Sequence, residues 1–265
     1  EGAVALFMGA GSSLESGAPS GKDLIDLIRA NFSDIDFTGI GDNMLDICQE
    51  IEDCGRRREL DRFIMKTFYG LKPNDALLAL PQYLWPVIYT TNYDDLIEKA
   101  FEEYYQANED TAKMCKPLIG DLPQFLGQKD EVLLFKLMGD AKRDDPDESM
   151  ILTRGDYNRQ SPNRRKKLDT FSTFAHDGSV LYVGYSFKDR IVYELIDELQ
   201  QLFKIQRDDS FALIPNFERG SKIEKKLVKR HINPLPLTLE EFVEVLKKEI
   251  VDISPLKKKP RSGIT

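Results

Sequence analysis

Ala3-Val4-Ala5-Leu6-Phe7-Met8 runs straight into Gly9-Ala10-Gly11-Ser12-Ser13, and this junction decides the fold. A short continuous apolar run fits a strand buried on both faces. The glycines after it mark a tight turn in which the backbone can come close to a ligand. From Lys22 onward Leu24, Ile25, Leu27, Ile28 and Phe32 recur at helical spacing, with Ser20 placed to cap the first turn. The unit is strand, glycine turn, helix.

The same alternation continues outward. Val87 to Thr91, Val132 to Leu137, Val180 to Gly184 and Phe211 to Pro215 are short runs rich in β-branched, aromatic or leucine residues, each bounded by polar or glycine punctuation. Helical patterns follow them at Asp94 to Tyr105, Arg164 to Phe174, Asp189 to Phe203 and Lys222 to Lys229, and Ile232 to Leu235 with Leu239 to Ile250 closes the series. This order predicts an α/β fold: a doubly wound, mostly parallel, Rossmann-like sheet with helices on both faces. Met44 to Tyr69 reads as a helical stretch with Leu45, Ile47, Ile51, Leu60, Phe63 and Ile64 on one apolar face, part of a helical insertion at about 41–82 and one surface for oligomer contacts. One domain over 1–253 is expected, followed by a basic linker at 254–265 that leads toward a further domain.

Composition narrows the function. The 265 residues carry 37 Lys and Arg against 45 Asp and Glu, a net charge of −8, which argues against direct nucleic-acid binding. No apolar run reaches the roughly 18 residues of a membrane helix, and Leu77 to Tyr89 is broken by Pro81, Gln82 and Pro86. Cys48, Cys54 and Cys115 form no CxxC pair for zinc and no even disulfide set, which makes a reducing cytoplasm the simplest setting and a metal site unexpected.

Ligands of a doubly wound sheet bind beyond the carboxyl ends of its strands. After the first strand stand Gly9 to Pro19, where glycines and helix-start amides suit a pyrophosphate and Ser12, Ser13 and Ser16 add hydroxyls. A tight turn uses glycine for steric reasons as well, so both readings stand. After the second strand come Thr91, Asn92 and Asp94, and Asp94 has the alternative role of capping the next helix. Lys136-Leu137-Met138-Gly139-Asp140 follows the third, and Gly184-Tyr185-Ser186 the fourth. A dinucleotide oxidoreductase fits poorly, because the turn lacks the third glycine of G-x-G-x-x-G.

Taken in order, GAGSSLESGAPS, TTNYDDLIE, KLMGD and VGYSFKD resemble the sirtuin-like domain family, in particular its bacterial branch of NAD-cleaving anti-phage effectors, over roughly Val4 to Asn216. The resemblance implies NAD as substrate, with Gly9, Ala10, Gly11, Ser12, Ser16, Gly17 and Pro19 around the pyrophosphate and nicotinamide side. It makes Asn92 and Asp94 the catalytic pair, sets Thr91 and Met138 in the pocket, and gives Gly184, Ser186 and Asn216 to the adenosine half. It further implies an abortive-infection role in an oligomer with a fused or partner sensor domain. Two departures stand out. Three scattered cysteines cannot build the zinc module of protein-deacylating sirtuins, so a deacylase is not expected. Met138 occupies the family's catalytic histidine position, and neither His176 nor His231 matches it. Loss of a general base costs ~10² to 10⁴ in rate. The alternative is therefore a degenerate module that binds NAD or an ADP-ribose derivative, or mediates oligomerisation, without cleavage.

Overall fold

The computed structural model describes residues 4–83, 85–108, 113–114, 131–142, 150–160, 162, 165–169, 179–185, 187, 193–194, 196–197 and 210–250. Along β1, Val4–Met8, the two-residue period sends Ala5 and Phe7 to one face and Leu6 and Met8 to the other. All four are buried, as expected for an inner strand covered on both sides. The other strands are β2 Val87–Thr90, β3 Lys113–Met114, β4 Glu131–Lys136, β5 Ser179–Val183, β6 Ser210–Leu213 and β7 Ile232–Leu235. They form one sheet in the order β3-β4-β2-β1-β5-β6-β7, and every neighbouring pair is parallel. The winding reverses at β1, which has β2 on one side and β5 on the other. The doubly wound architecture read from the sequence is the one found.

A 3-10 turn, Ala10–Ser16, follows β1 in place of a long helix, and Gly17 ends it with a left-handed φ of 86°. Helix α1, Gly21–Asn31, then starts at Ser20, whose hydroxyl accepts from the Asp23 amide while the Asp23 carboxylate caps Ser20 in return. Met44 to Tyr69 is two helices, α2 Met44–Asp53 and α3 Arg57–Phe68, because the chain turns at Gly55 with φ 77°. Their apolar residues Leu45, Ile47, Ile51, Leu60 and Ile64 are buried in this chain's own core. Next come α4, Asp75–Ala79, and α5, Leu96–Ala107, which starts two residues after Asp94. Helix α6, Arg154–Arg159, and the short β3 were not read from the sequence. Helices α7, Lys222–Val228, and α8, Leu239–Glu249, flank β7.

The sheet separates two cores. Ala5, Phe7, Tyr89, Phe135 and Tyr182 meet α1, α2, α3 and α7 on one face, where the Phe7 and Tyr89 rings stack at 4.6 Å. Leu6, Met8, Ile88, Leu134 and Val183 meet α4, α5 and α8 on the other. Parts of the helical patterns at 164–174 and 189–203, and the basic linker at 254–265, lie outside the described residues. Among the described residues no helix is long and apolar enough to cross a membrane.

Candidate active site

Register brings the expected residues together. Met8 is level with Thr90 of β2 and Val183 of β5, and Thr90 is level with Lys136 of β4. The next residues along, Gly9, Thr91, Leu137 and Gly184, therefore emerge side by side where the winding reverses, the position at which such sheets bind ligands. The last rungs confirm it: Gly9 N donates to Val183 O at 2.8 Å, Thr91 N to Met8 O at 3.1 Å and Leu137 N to Thr90 O at 2.8 Å.

The glycines of the first turn are required by the protein itself. A Cβ on Gly9 would lie 2.7 Å from the Tyr185 ring, and one on Gly11 would lie 2.7 Å from the Gly184 backbone. Gly184 is more constrained still, with φ +76° and the Ser12 amide where its Cβ would stand. Gly11 N donates to Gly184 O at 2.8 Å, and Ser12 N donates to Gly9 O at 2.9 Å. The steric reading of these glycines is thus sufficient by itself, and the amides of Gly9, Gly11 and Ser12 are engaged by protein carbonyls. Ala10 and Gly17 face solvent, and Ser16 and Pro19 are half-buried. Ser16 Oγ accepts from the Asn74 amide at 3.0 Å, which ties the turn to the start of α4.

Asn92 is buried beneath this turn, 6% exposed. Its Nδ2 donates to Ser13 Oγ at 3.0 Å and to Ser12 Oγ at 3.3 Å, and Ser12 Oγ in turn donates to Gly9 O at 2.8 Å. Its backbone amide donates to Thr90 Oγ1 at 3.0 Å. The remaining amide atom, Oδ1, is buried and has no hydrogen-bond partner among the described residues. Buried polar atoms are nearly always paired, and one left over costs about 1–3 kcal/mol.

Asp94 is joined to Asn92 through Ser13, whose hydroxyl bonds the Asp94 carboxylate. Burial is the main influence on this carboxyl and lifts it above the usual carboxylate range, against lowering by Ser13 and the nearby Lys136 ammonium. Its Oδ1 also accepts from Leu96 N, the first amide of α5, at 3.2 Å, although the helix begins one residue later than expected and its N-cap is Asp95, not Asp94. Met138 is 8% exposed and belongs to the same core as α1 to α3, with its carbonyl accepting from Ile151 N at 2.9 Å.

Four residues that complete the arrangement were missed or underread in the sequence. Tyr185 donates to Met8 O at 2.9 Å and bonds Thr91 Oγ1 at 3.0 Å, so it clasps the ends of β1, β2 and β5. Ser13 links Asn92 to Asp94. Tyr93 donates to Ile151 O at 2.8 Å while its carbonyl accepts from Ala141 N at 2.9 Å, stapling the Asn92 turn to the Met138 loop. Lys136 is wholly buried below that turn, beside Asp94, Glu98 and Asp140. Asn216 stands exposed beyond β6, one strand outside β5, with φ 58°. Ser186 and His176 lie outside the described residues, and His231 is exposed at the end of α7.

The SIR2-like domain matches residues 86–235, more than half of the chain. The chain belongs to the SIR2-like domain family. This SIR2-like chain is 28% identical to the NAD(+) hydrolase ThsA of Bacillus cereus (strain MSX-D12) over 82% of its own length and 44% of that protein's. It is 25% identical to the NAD(+) hydrolase ThsA of Acinetobacter baumannii (strain 532279), over 83% of itself and 44% of the relative. It is 26% identical to the protein of the same name from Enterococcus faecium, over 81% and 43%. The SIR2-like chain thus spans less than half the length of these relatives. Its fold also resembles a solved Sir2 bound to acetylated peptide, with a TM-score of 0.50 over 95% of this chain and 94% of that one, at 15% identity.

Proposed function

We propose that this SIR2-like domain is an NAD+ glycohydrolase that releases nicotinamide and depletes NAD as the effector of a bacterial anti-phage defence protein. The observation that carries the reading is Asn92, a buried amide held through its nitrogen by Ser12 and Ser13 while its oxygen has no partner among the described residues. It sits at the reversal of the sheet, where an NAD ribose would find a fixed acceptor. The names of the relatives, all NAD(+) hydrolases, support the same reaction.

In the reaction the bond from ribose C1′ to the nicotinamide nitrogen breaks, and its electron pair leaves with nicotinamide. The ribose becomes cationic, and a water oxygen bonds to C1′ and loses a proton. Asn92 holds the ribose or the water by hydrogen bonds, and the Asp94 carboxylate supplies negative charge near the cation and takes the proton. Ala10, Gly11, Ser16, Gly17 and Pro19 take the pyrophosphate and nicotinamide side, Thr91 and Met138 line the pocket, and Gly184, Ser186 and Asn216 take the adenosine half. Ser12 acts by holding Asn92. The domain would work in the cytoplasm, as an oligomer with a sensor domain, which light scattering of the complete protein tests.

Met138 favours a second reading. A buried thioether accepts no proton near neutral pH, which suits a module that binds NAD without cleaving it. Nicotinamide release and calorimetric NAD titration, run on the parent and on Asn92→Ala, separate the two. Slow release that Asn92→Ala abolishes supports the hydrolase. Tight NAD binding with no release from the complete protein supports the binding module.

A further inference from the structure

The most deeply buried charge among the described residues has no part in the reaction just described. Lys136 closes β4 after the apolar run Val132 to Phe135, and its side chain is 0% exposed. An ammonium has three N–H donors. This one has three acceptors within reach: the backbone carbonyl of Asp94 at 2.5 Å, Glu98 Oε1 at 3.0 Å and Asp140 Oδ1 at 3.3 Å. They belong to three different segments, namely the turn that carries Asn92, helix α5, and the loop that carries Met138. A buried ion pair is often no more stabilising than apolar residues of the same volume, so stability alone gives a poor reason for a lysine here. Fixing three segments at one point gives a better one.

We propose that Lys136 is a positioning residue for the Asn92 and Asp94 site, its three-way ammonium setting the Asn92–Asp94 turn against helix α5 and the Met138 loop. The inference rests on the proposed hydrolase for its kinetic consequence but not for its geometric one. The ammonium holds the Asp94 backbone carbonyl and also lowers the Asp94 carboxyl, so losing it releases the turn and lets that carboxyl rise without removing any group expected to touch NAD, and amide exchange reads the release of the turn alone. A displacement of about 1 Å in a reacting group costs about 10² in rate, while the contacts that bind NAD remain.

The test uses the double variant Lys136→Met with Glu98→Gln, which removes one charge of each sign and leaves Asp140 its bond from Lys142 N at 2.9 Å. Hydrogen–deuterium exchange of amides 92–96 is measured without NAD, and kcat and KM for nicotinamide release are measured in a Met138→His background. Ile28→Val, on the buried face of α1, is the control for lost stability. The proposal expects a cooperative melt, exchange about tenfold faster at 92–96, and kcat down about 10²-fold with KM within about threefold. Ile28→Val should change neither. Unchanged exchange at 92–96 in the folded double variant overturns the proposal. If the Met138→His parent releases no nicotinamide, the hydrolase reading fails and exchange alone decides the role of Lys136. Should the double variant not fold, Glu98→Gln alone must give an intermediate gain in exchange, and no gain overturns the proposal.

Discussion

Asn92 and Asp94 show what a single residue can and cannot reveal. Both were legible because they follow a strand end directly, and Met138 was legible as a departure because its neighbours fit the family motif. Their partners were not: Ser13 lies 79 residues from Asn92, and Tyr185 lies 94 from Thr91, so only the register of three strands brings them together. The raised Asp94 carboxyl yields a prediction at this scale. Its cause is burial first, opposed by Ser13 and Lys136, with Asp95 adding a small push upward. A carboxyl raised on folding contributes stability that is intact below its unfolded pKa, about 4, and lost as pH rises through the folded value. Asp94→Asn has no such loss. The melting temperature of Asp94→Asn minus that of the parent should therefore increase between about pH 4 and pH 7, and a flat or falling difference contradicts the burial account.

At the scale of elements, the strand, glycine turn and helix at the N-terminus were readable because their determinants are local: an apolar run, Gly9 and Gly11, and the Ser20 cap that Asp23 reciprocates. The separation of α2 from α3 was lost in the overall helical period, since one glycine breaks it. Helix α6 has only six residues and depends on distant contacts. Arg57, 99 residues away in sequence, donates to its Asp156 at 2.6 Å and to the Met150 carbonyl at 2.9 Å. Arg57→Met leaves buried Asp156 with the exposed Arg159 as its remaining cation, and chemical denaturation should show a loss of about 2 kcal/mol, as for a hydrogen bond to a charged group. A loss under about 1 kcal/mol, typical of a surface pair, shows that the link is not what holds α6. The turn between β5 and Tyr185 has a sharper requirement. Gly184→Ala meets both a left-handed φ and the Ser12 amide, so it should cost at least about 2 kcal/mol. NAD binding should fall with it, because Gly184 faces Gly9 to Ser12. An alanine variant as stable as the parent would mean that the turn relaxes freely.

Over the whole molecule, alternation of strands and helices was enough to predict a doubly wound parallel sheet, but not its order. That order follows from which apolar faces the helices cover, and no local signal tells β4 to pair with β2 or places β5 beside β1. Once the order is set, the ends of β1, β2 and β5 meet, and residues from positions 9 to 185 form one site. In the proposed reaction this site cleaves NAD at Asn92 and is slowed by Met138. The most direct test is nicotinamide release from NAD by the parent, by Met138→His, and by Met138→His combined with Asn92→Ala, at equal concentration. Slow release by the parent is expected, with a rise of about 10² to 10⁴ on restoring the histidine and none once Asn92 is also removed. No release from Met138→His, or release that survives the loss of Asn92, would contradict the proposed reaction.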